Sequence, residues 1–237
     1  MNIFDTAILH FINGFAHRSW TADYLISWLN DDGFQKGGIV MLLFWWAWFL
    51  PSENSKANRE TLICSAIAAP FALALSRFIS IVVPFRVRPL HIPDLHIHLA
   101  YTLCPQMLIN WNSFPSDHAV LFFTFVAGLF FVSRRIGLIA LSYVLLIVCL
   151  PRIYLGIHYP TDIIAGAVLG VGVAYLACLP RAKSALARPV LNWMSAHPGP
   201  FYACLFFYTY QVANAFGWAR DVIVMALHIT SNVIKKY

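Results

Sequence analysis

The sequence predicts an all-α protein: a polytopic transmembrane helical bundle of about six spans, preceded by interfacial N-terminal helices. Composition is the first reason, since 60% of the 237 residues are hydrophobic, 16% are aromatic and only 11% are charged. These fractions lie well outside the range of soluble globular domains. The second reason is that long apolar stretches recur along the whole chain and contain few charged residues.

The N-terminal region, residues 1–33, is predicted to form interrupted interfacial or re-entrant helices. Its two apolar stretches, 3–16 and 20–29, are amphipathic and are broken by polar residues. Such a pattern is more typical of helices that lie along a membrane surface than of helices that cross it.

Six apolar stretches follow, and we expect them to cross the membrane. Several are shorter than the roughly 20 residues of an average spanning helix, which predicts tilting or local thinning of the bilayer. A further stretch, 219–234, is predicted either to cross or to lie along the interface. The chain therefore divides into the N-terminal region, a transmembrane core at 34–180, and a C-terminal hydrophobic extension at 181–237. The six stretches are 36–50, 61–83, 117–132, 136–150, 161–179 and 200–216.

Basic residues in the predicted loops indicate the orientation in the membrane. One side receives Arg86, Arg88 and Arg152, with Arg220 added if 200–216 crosses. The other side receives the larger set and is predicted to be cytoplasmic, because basic loops are retained there. The same distribution explains the net charge of +6 without a nucleic-acid partner, since no basic run or helix face is present. The larger set is Lys56, Arg59, Arg134, Arg135, Arg181, Lys183 and Arg188.

Polar segments at the mouths of the apolar stretches carry the predicted chemistry, and the first is Pro115-Ser116-Asp117-His118. It opens a helix, so free backbone N–H groups and the Ser116 hydroxyl can bind an anion, with His118 in the first turn. The alternative interpretation is an ordinary capped helix with a surface histidine.

Two further segments contain Arg152, His158 and Asp162, and Arg86 and Arg88. A carboxylate beside an imidazole fixes the tautomer and leaves the other ring nitrogen as a nucleophile or base. Arginine presents a planar fork that matches two phosphate oxygens at once. The alternatives are a simple helix cap for Asp162 and arginines that snorkel to the membrane surface.

In this order the segments resemble the type 2 phosphatidic acid phosphatase superfamily, whose signature is Arg-Pro, then Pro-Ser-x-His, then Arg-x5-His-x3-Asp. The resemblance covers about residues 36–180. It implies that His158 attacks phosphorus to form a phosphohistidine and that Asp162 orients His158. It implies that His118 protonates the leaving oxygen and later activates water. No metal or other cofactor is implied, and the phosphoryl oxygens are held by Arg88, Arg152, Ser116 and the backbone N–H of Asp117.

Two positions depart from this pattern. Ile81 stands where the family usually has a lysine. Arg77, one helical turn away on the same face, and Arg86 are the candidates to replace it in binding phosphate. The alternative for Arg77 is a pairing inside the bundle. Asp117 stands where the wider family more often has glycine, and Phe-Pro-Ser-Asp-His resembles the bacitracin-resistance-type undecaprenyl diphosphate phosphatase branch.

That branch implies an enzyme of the bacterial inner (cytoplasmic) membrane that faces the periplasm or the outside and recycles the lipid carrier of cell wall biogenesis. Its expected partners are the bilayer and a polyisoprenyl diphosphate, with phosphatidylglycerophosphate or phosphatidic acid as alternative substrates. Two other classes stay open, a lipid phosphotransferase that uses the same phosphohistidine and a non-enzymatic membrane scaffold or transporter. The histidine-rich patch at 91–98 is interpreted as a polar loop, because its spacing fixes no metal geometry.

Overall fold

The protein is helical throughout the part that its computed structural model describes, residues 2–31, 33–104, 106 and 108–217, and that part contains no strand. The all-α prediction is therefore confirmed for these residues, while the stretch 219–234 lies outside them. Two helices form the N-terminal region, and a π-helical segment (Phe34–Gly38) connects them to the core. They are α1 (Ile3–Asn13) and α2 (Trp20–Asp31).

In the described residues, eight further helices follow the π-helical segment. Two short 3-10 turns, Pro89–His91 and Pro93–Leu95, lie in the long loop after the second of them. A second π-helical segment, Val144–Cys149, joins α6 to α7. The helices are α3 (Ile39–Phe49), α4 (Ser55–Val82), α5 (Asp117–Val132), α6 (Arg134–Tyr143), α7 (Leu150–Tyr154), α8 (Pro160–Ala177), α9 (Pro180–Ala196) and α10 (Pro198–Ala213).

Three helical segments of the described part are long and apolar enough to cross a membrane: Ser55–Val82, Arg134–Tyr154 and Pro160–Ala177. Ile3–Asn13 and Asp117–Val132 are shorter apolar helices. Large apolar side chains are exposed on the outside of these helices, as a lipid environment requires; examples are Phe71, Ile81 and Val168. The protein is thus a membrane-embedded helical bundle, and the number of about six crossings stays a prediction.

The boundaries differ from the predicted ones at two places. The predicted break at Pro151 is wrong, because the helix continues through it to Tyr154. The π-helical segment directly before this proline changes the hydrogen-bonding pattern, so the missing N–H and the ring fit without a break. From the sequence, no element is assigned between 180 and 198, and the structure has α9 there, which buries Ala187 and Leu191.

α5 lies at the centre of the bundle and packs most extensively against α4 and α8. Gly166 of α8 permits the close approach, since a Cβ there would lie 2.7 Å from the carbonyl oxygen of Ser116. The backbone N–H of Ser116 then donates to the carbonyl oxygen of Asp162 at 3.1 Å. This packing brings the start of α5 and the start of α8, two of the three polar segments, into direct contact.

The three polar segments lie at one end of the bundle, where α4 and α7 end and α5 and α8 begin. α10 also ends there, because Ala213 lies against Gly37 of the first π-helical segment. α9 lies at the opposite end, where the Lys183 ammonium donates to the hydroxyl of Thr61, near the start of α4. One end of the molecule therefore carries the candidate site.

Candidate active site

The helix ends surround a cavity of about 420 Å³. Six of the nine predicted site residues line it, whereas Arg86, Ser116 and Asp162 lie outside its lining. The structure thus brings together the predicted nucleophile, the predicted acid–base histidine and three of the four predicted phosphate-binding arginines. The six are Arg77, Arg88, Asp117, His118, Arg152 and His158; residues that were not predicted, Asn30, Asp31, Lys36, Trp111, Asn112 and Asn214, line it as well.

His158 is buried, and its Nδ1 atom lies 2.9 Å from the backbone carbonyl oxygen of Ser113. A carbonyl oxygen only accepts hydrogen bonds, so we assign the ring proton to Nδ1. Nε2 then carries a lone pair, and it lies 3.3 Å from Nη1 of Arg88. This arrangement presents an unprotonated nitrogen in a cavity lined by arginine.

Asp162 is fully buried behind His158, and its Oδ2 atom accepts hydrogen bonds from the hydroxyl of Ser113 (2.6 Å) and the backbone N–H of Tyr159 (2.9 Å). The same oxygen lies 3.6 Å from Nδ1 of His158. Asp162 is therefore close to the imidazole without a direct hydrogen bond to it, and Ser113 contacts both residues. Sequence reasoning missed Ser113, since its contact with the histidine is made by a backbone carbonyl.

The surroundings of His158 lower its pKa below the ordinary value for histidine. Burial is the main cause, and the positive charges of Arg88 and Arg152 add to it, while Asp162 opposes the shift. Burial also lowers the pKa of Arg88, to about 10, so that this guanidinium remains charged at neutral pH. A neutral imidazole beside a cationic guanidinium is the protonation state that a nucleophilic histidine needs.

This shift predicts the acid limb of the pH profile. The family resemblance implies that His158 is the nucleophile, and a nucleophilic imidazole must be neutral to attack. Because the pKa of His158 is lowered, kcat/KM is expected to stay high below pH ~6.5, the ordinary histidine pKa. Asp162→Asn removes the charge that raises this pKa, so the limb is expected to move to still lower pH while the rate falls. Measuring kcat/KM against pH for both proteins checks this. A limb at the same pH in both would assign the ionisation to another group.

Arg88 and Arg152 are both buried, and each is anchored by backbone carbonyl groups. Arg88 donates to the carbonyl oxygens of Ile157 at 2.8 Å and Asn112 at 3.2 Å. Arg152 donates to the carbonyl oxygen of Val148, one turn earlier in the same helical segment, at 2.6 Å. A guanidinium carries five N–H donors, so such anchoring fixes the group and leaves donors for an anion.

Arg86 turns away from the cavity and bridges two buried carboxylates. Nη1 donates to Asp162 Oδ1 at 2.5 Å and to the Thr161 hydroxyl at 2.9 Å, and Nη2 donates to Asp5 Oδ2 at 2.7 Å. Asp5 also accepts a hydrogen bond from the backbone N–H of Thr161 at 2.9 Å. Arg86 is thus placed to hold Asp162 rather than a phosphate, and Asp5, which the sequence reading missed, ties α1 to the site. An acidic residue within a short apolar stretch was the available sequence signal.

Arg77 forms an ion pair with Asp117, whose other carboxylate oxygen accepts a hydrogen bond from Ser76 at 2.7 Å. The Arg77 guanidinium also lies over the ring of Trp111, 4.8 Å from its centroid. Both predicted alternatives for Arg77 therefore describe part of its environment, since it pairs with a carboxylate and also lines the cavity. Arg77, a candidate to replace the missing lysine, thus contacts Asp117, the second departure from the family pattern, while Ile81 is 82% exposed on the outer surface.

The start of α5 supplies two further groups. His118 lines the cavity from the first turn of the helix, with its ring beside that of Phe122 at a centroid distance of 6.4 Å. Ser116 is fully buried, and its hydroxyl makes no hydrogen bond within the described residues. Buried hydroxyl groups are normally paired, so Ser116 carries an unsatisfied donor beside the cavity, although it does not line it. No group of three or more metal-ligating side chains is assembled in the described part of the chain.

Comparison with known proteins places these residues in a family context. The profile of the PAP2 superfamily matches residues 62–184, about half of the chain, and this range contains all three polar segments. "Bacitracin transport permease protein BcrC" of Bacillus licheniformis is 45% identical over 60 residues, which cover 25% of this chain and 29% of that protein. No solved structure matches the chain significantly.

Two relatives match over most of their length. "Lipid A 1-diphosphate synthase" of Escherichia coli (strain K12) is 26% identical over 186 residues, which cover 74% of this chain and 76% of that protein. "Undecaprenyl-diphosphatase BcrC" of Bacillus subtilis (strain 168) is 24% identical over 165 residues, covering 70% and 78% respectively. Similarity to these proteins therefore extends well beyond the short motifs.

Proposed function

From the premise that this chain belongs to the PAP2 superfamily and is a membrane lipid phosphatase, we propose that it hydrolyses undecaprenyl diphosphate, a polyisoprenyl diphosphate, to the monophosphate. Phe-Pro-Ser-Asp-His at 114–118 and the similarity to the undecaprenyl-diphosphatase of Bacillus subtilis support this substrate. The supporting feature of the site is the geometry of His158, a buried imidazole with Nδ1 bound to a carbonyl oxygen and Nε2 beside a cationic arginine.

In the proposed mechanism, Nε2 of His158 forms a bond to the terminal phosphorus while the bond from phosphorus to the bridging oxygen breaks. His118 gives a proton to the leaving oxygen, and the lipid monophosphate departs. His118 then takes a proton from water, whose oxygen attacks phosphorus and releases His158. Arg88 and Arg152 balance the charge on the phosphoryl oxygens throughout, which supplies most of the catalysis in phosphoryl transfer.

We place this chemistry at the extracytoplasmic face of a bacterial inner membrane. The basic residues that favour the cytoplasm belong to the end of the bundle opposite the cavity: Lys56 and Arg59 at the start of α4, Arg134 at the start of α6, and Lys183 in α9. With these basic residues in the cytoplasm, the end of the bundle that carries the cavity faces the outside.

Cys104 offers a test of this orientation, because it is exposed in the long loop between α4 and α5 at the cavity end. In a variant that keeps only this cysteine, a membrane-impermeant maleimide is expected to label the protein in intact cells. Cys104→Ser in the same background is the matched control and should abolish labelling. Labelling that occurs only after permeabilisation would place the site on the cytoplasmic side.

The substrate is tested by measuring phosphate release by the purified protein from four lipids. Undecaprenyl diphosphate is expected to give the highest kcat/KM, ahead of undecaprenyl monophosphate, phosphatidylglycerophosphate and phosphatidic acid. A higher kcat/KM for either glycerolipid would replace the proposed substrate. No release from any of them would favour the non-enzymatic alternative.

A lipid phosphotransferase is the second candidate, and one observation favours it. The Escherichia coli relative, which matches 74% of this chain, is named for synthesising lipid A 1-diphosphate. A phosphohistidine can pass its phosphoryl group to a lipid oxygen as well as to water. Supplying an acceptor lipid together with a substrate labelled in its terminal phosphate distinguishes the phosphotransferase from the hydrolase. Transfer moves the label into the acceptor lipid, whereas hydrolysis releases it as inorganic phosphate.

A further inference from the structure

Lys36 lines the same cavity as His158, although it lies outside residues 62–184, which the family profile matches. It belongs to the π-helical segment Phe34–Gly38, directly before α3. π-helical segments are rare, and they frequently occur at functional sites. Lys36 is therefore a cation at the site that the three sequence motifs do not account for.

The backbone around Lys36 is held tightly. A Cβ at Gly37 would lie 2.7 Å from both the Phe122 ring and the carbonyl oxygen of Ala213, so the segment packs directly against α5 and the end of α10. On the other side, the hydroxyl of Tyr143 donates to the carbonyl oxygen of Gln35 at 2.5 Å. A side chain that leaves a fixed backbone is well suited to hold a ligand, because less motion must be frozen on binding.

The other cations near the site contact the following groups. Arg88 and Arg152 are anchored around His158, while Arg77 is paired with Asp117. Arg86 is bound between Asp5 and Asp162, outside the cavity lining. Within the described lining, four cationic side chains face two acidic ones, and Lys36 is the cationic member that lies outside residues 62–184.

We propose that Lys36 binds the second phosphate group of a lipid diphosphate, the one that remains on the lipid. This rests on the proposed function, since it assumes a diphosphate substrate. His158 reacts only with the terminal phosphorus, so the other phosphate needs its own counter-charge in the same cavity. Lysine supplies a compact positive charge that suits a phosphate. The ammonium also stabilises the negative charge that develops when the bridging oxygen leaves.

The test compares a diphosphate with a monophosphate. Lys36→Gln is expected to raise KM for farnesyl diphosphate about tenfold, the effect of losing roughly 1.4 kcal/mol of binding free energy. KM for phosphatidic acid is expected to change less than twofold, because this substrate has no second phosphate. Lys36→Arg, which restores the charge, should recover most of the affinity, and Lys56→Gln, an exposed lysine at the opposite end, is the matched control.

An equal loss for both substrates would overturn the proposal, because it would mean that Lys36 acts at the reacting phosphate or on the fold. Unchanged KM for the diphosphate would overturn it as well.

Inhibition by inorganic anions tests the second-phosphate site independently of the proposed substrate. With any lipid phosphate that the enzyme hydrolyses as the reporter, Lys36→Gln is expected to weaken competitive inhibition by pyrophosphate but not by orthophosphate. Equal sensitivity of wild type and variant to pyrophosphate would reject the second-phosphate site. This arm reports anion binding in the cavity, so its result holds even if the natural substrate is a lipid monophosphate.

Discussion

His158→Gln is expected to lower kcat for phosphate release by at least about a thousandfold, because the amide cannot form the bond to phosphorus. Glutamine has a similar length and can still donate a hydrogen bond to the carbonyl oxygen of Ser113. The buried surroundings of the side chain should therefore be preserved. An unchanged unfolding temperature would show that the loss is chemical and not a consequence of misfolding.

Trapping the intermediate makes this prediction sharper. The oxygen that leaves in the first step belongs to a phosphate and is a good leaving group, whereas water in the second step needs a base. His118→Ala is therefore expected to slow the second step more, so that the protein accumulates acid-labile label from terminally ³²P-labelled diphosphate. The double variant with His158→Gln should carry no label. Label that persists in the double variant, or activity in His158→Gln close to wild type, would reject His158 as the nucleophile.

Asp5→Ala is expected to destabilise the protein by about 3 kcal/mol, the low end for breaking a buried ion pair, because Arg86 keeps one of its two carboxylate partners. The same change should lower kcat with little effect on KM, since Asp162 loses the fixed position of its arginine and the phosphate-binding groups remain. Thermal unfolding of the purified protein and steady-state kinetics measure the two effects. Asp94→Ala, which removes an exposed acid from the loop at the same end, is the matched control.

Combining Asp5→Ala with Arg86→Gln distinguishes a structural bridge from a phosphate ligand. Residues of one buried network are not additive, so the double variant should be little less stable than the worse single variant. A raised KM in Arg86→Gln with unchanged unfolding temperature would return Arg86 to the phosphate-binding role that the sequence suggested.

The sequence predicts the helical membrane fold well, and it also predicts several residues of the site. Arg88, His118, Arg152 and His158 stand at helix ends in a fixed order, and an antiparallel succession of spans brings such ends together. Gly166 completes this arrangement by allowing α8 to approach α5. Both signals can be read from the linear chain. The composition excludes a soluble fold, and polar groups stand at the ends of the apolar stretches.

Other parts of the site depend on contacts that residue types do not encode. Ser113 holds His158 through a backbone carbonyl, and Asp5 reaches Arg86 across 81 positions of the chain. Lys36 lines the cavity from a π-helical segment, whereas helical periodicity assumes a regular α-helix. Pro151 failed as a boundary signal for the same reason, since a second π-helical segment precedes it.

The bridge from Asp5 through Arg86 to Asp162 connects the first helix to the active site from outside the phosphate cavity. The position of this helix can therefore affect turnover. A small molecule or antibody fragment that pulled α1 away from the bundle would separate Arg86 from one of its two carboxylates. Asp162 would lose its rigid support, and turnover would fall while every phosphate-binding group stayed in place. Inhibitors of this kind would not compete with a highly charged lipid for a polar cavity, and added substrate would not displace them.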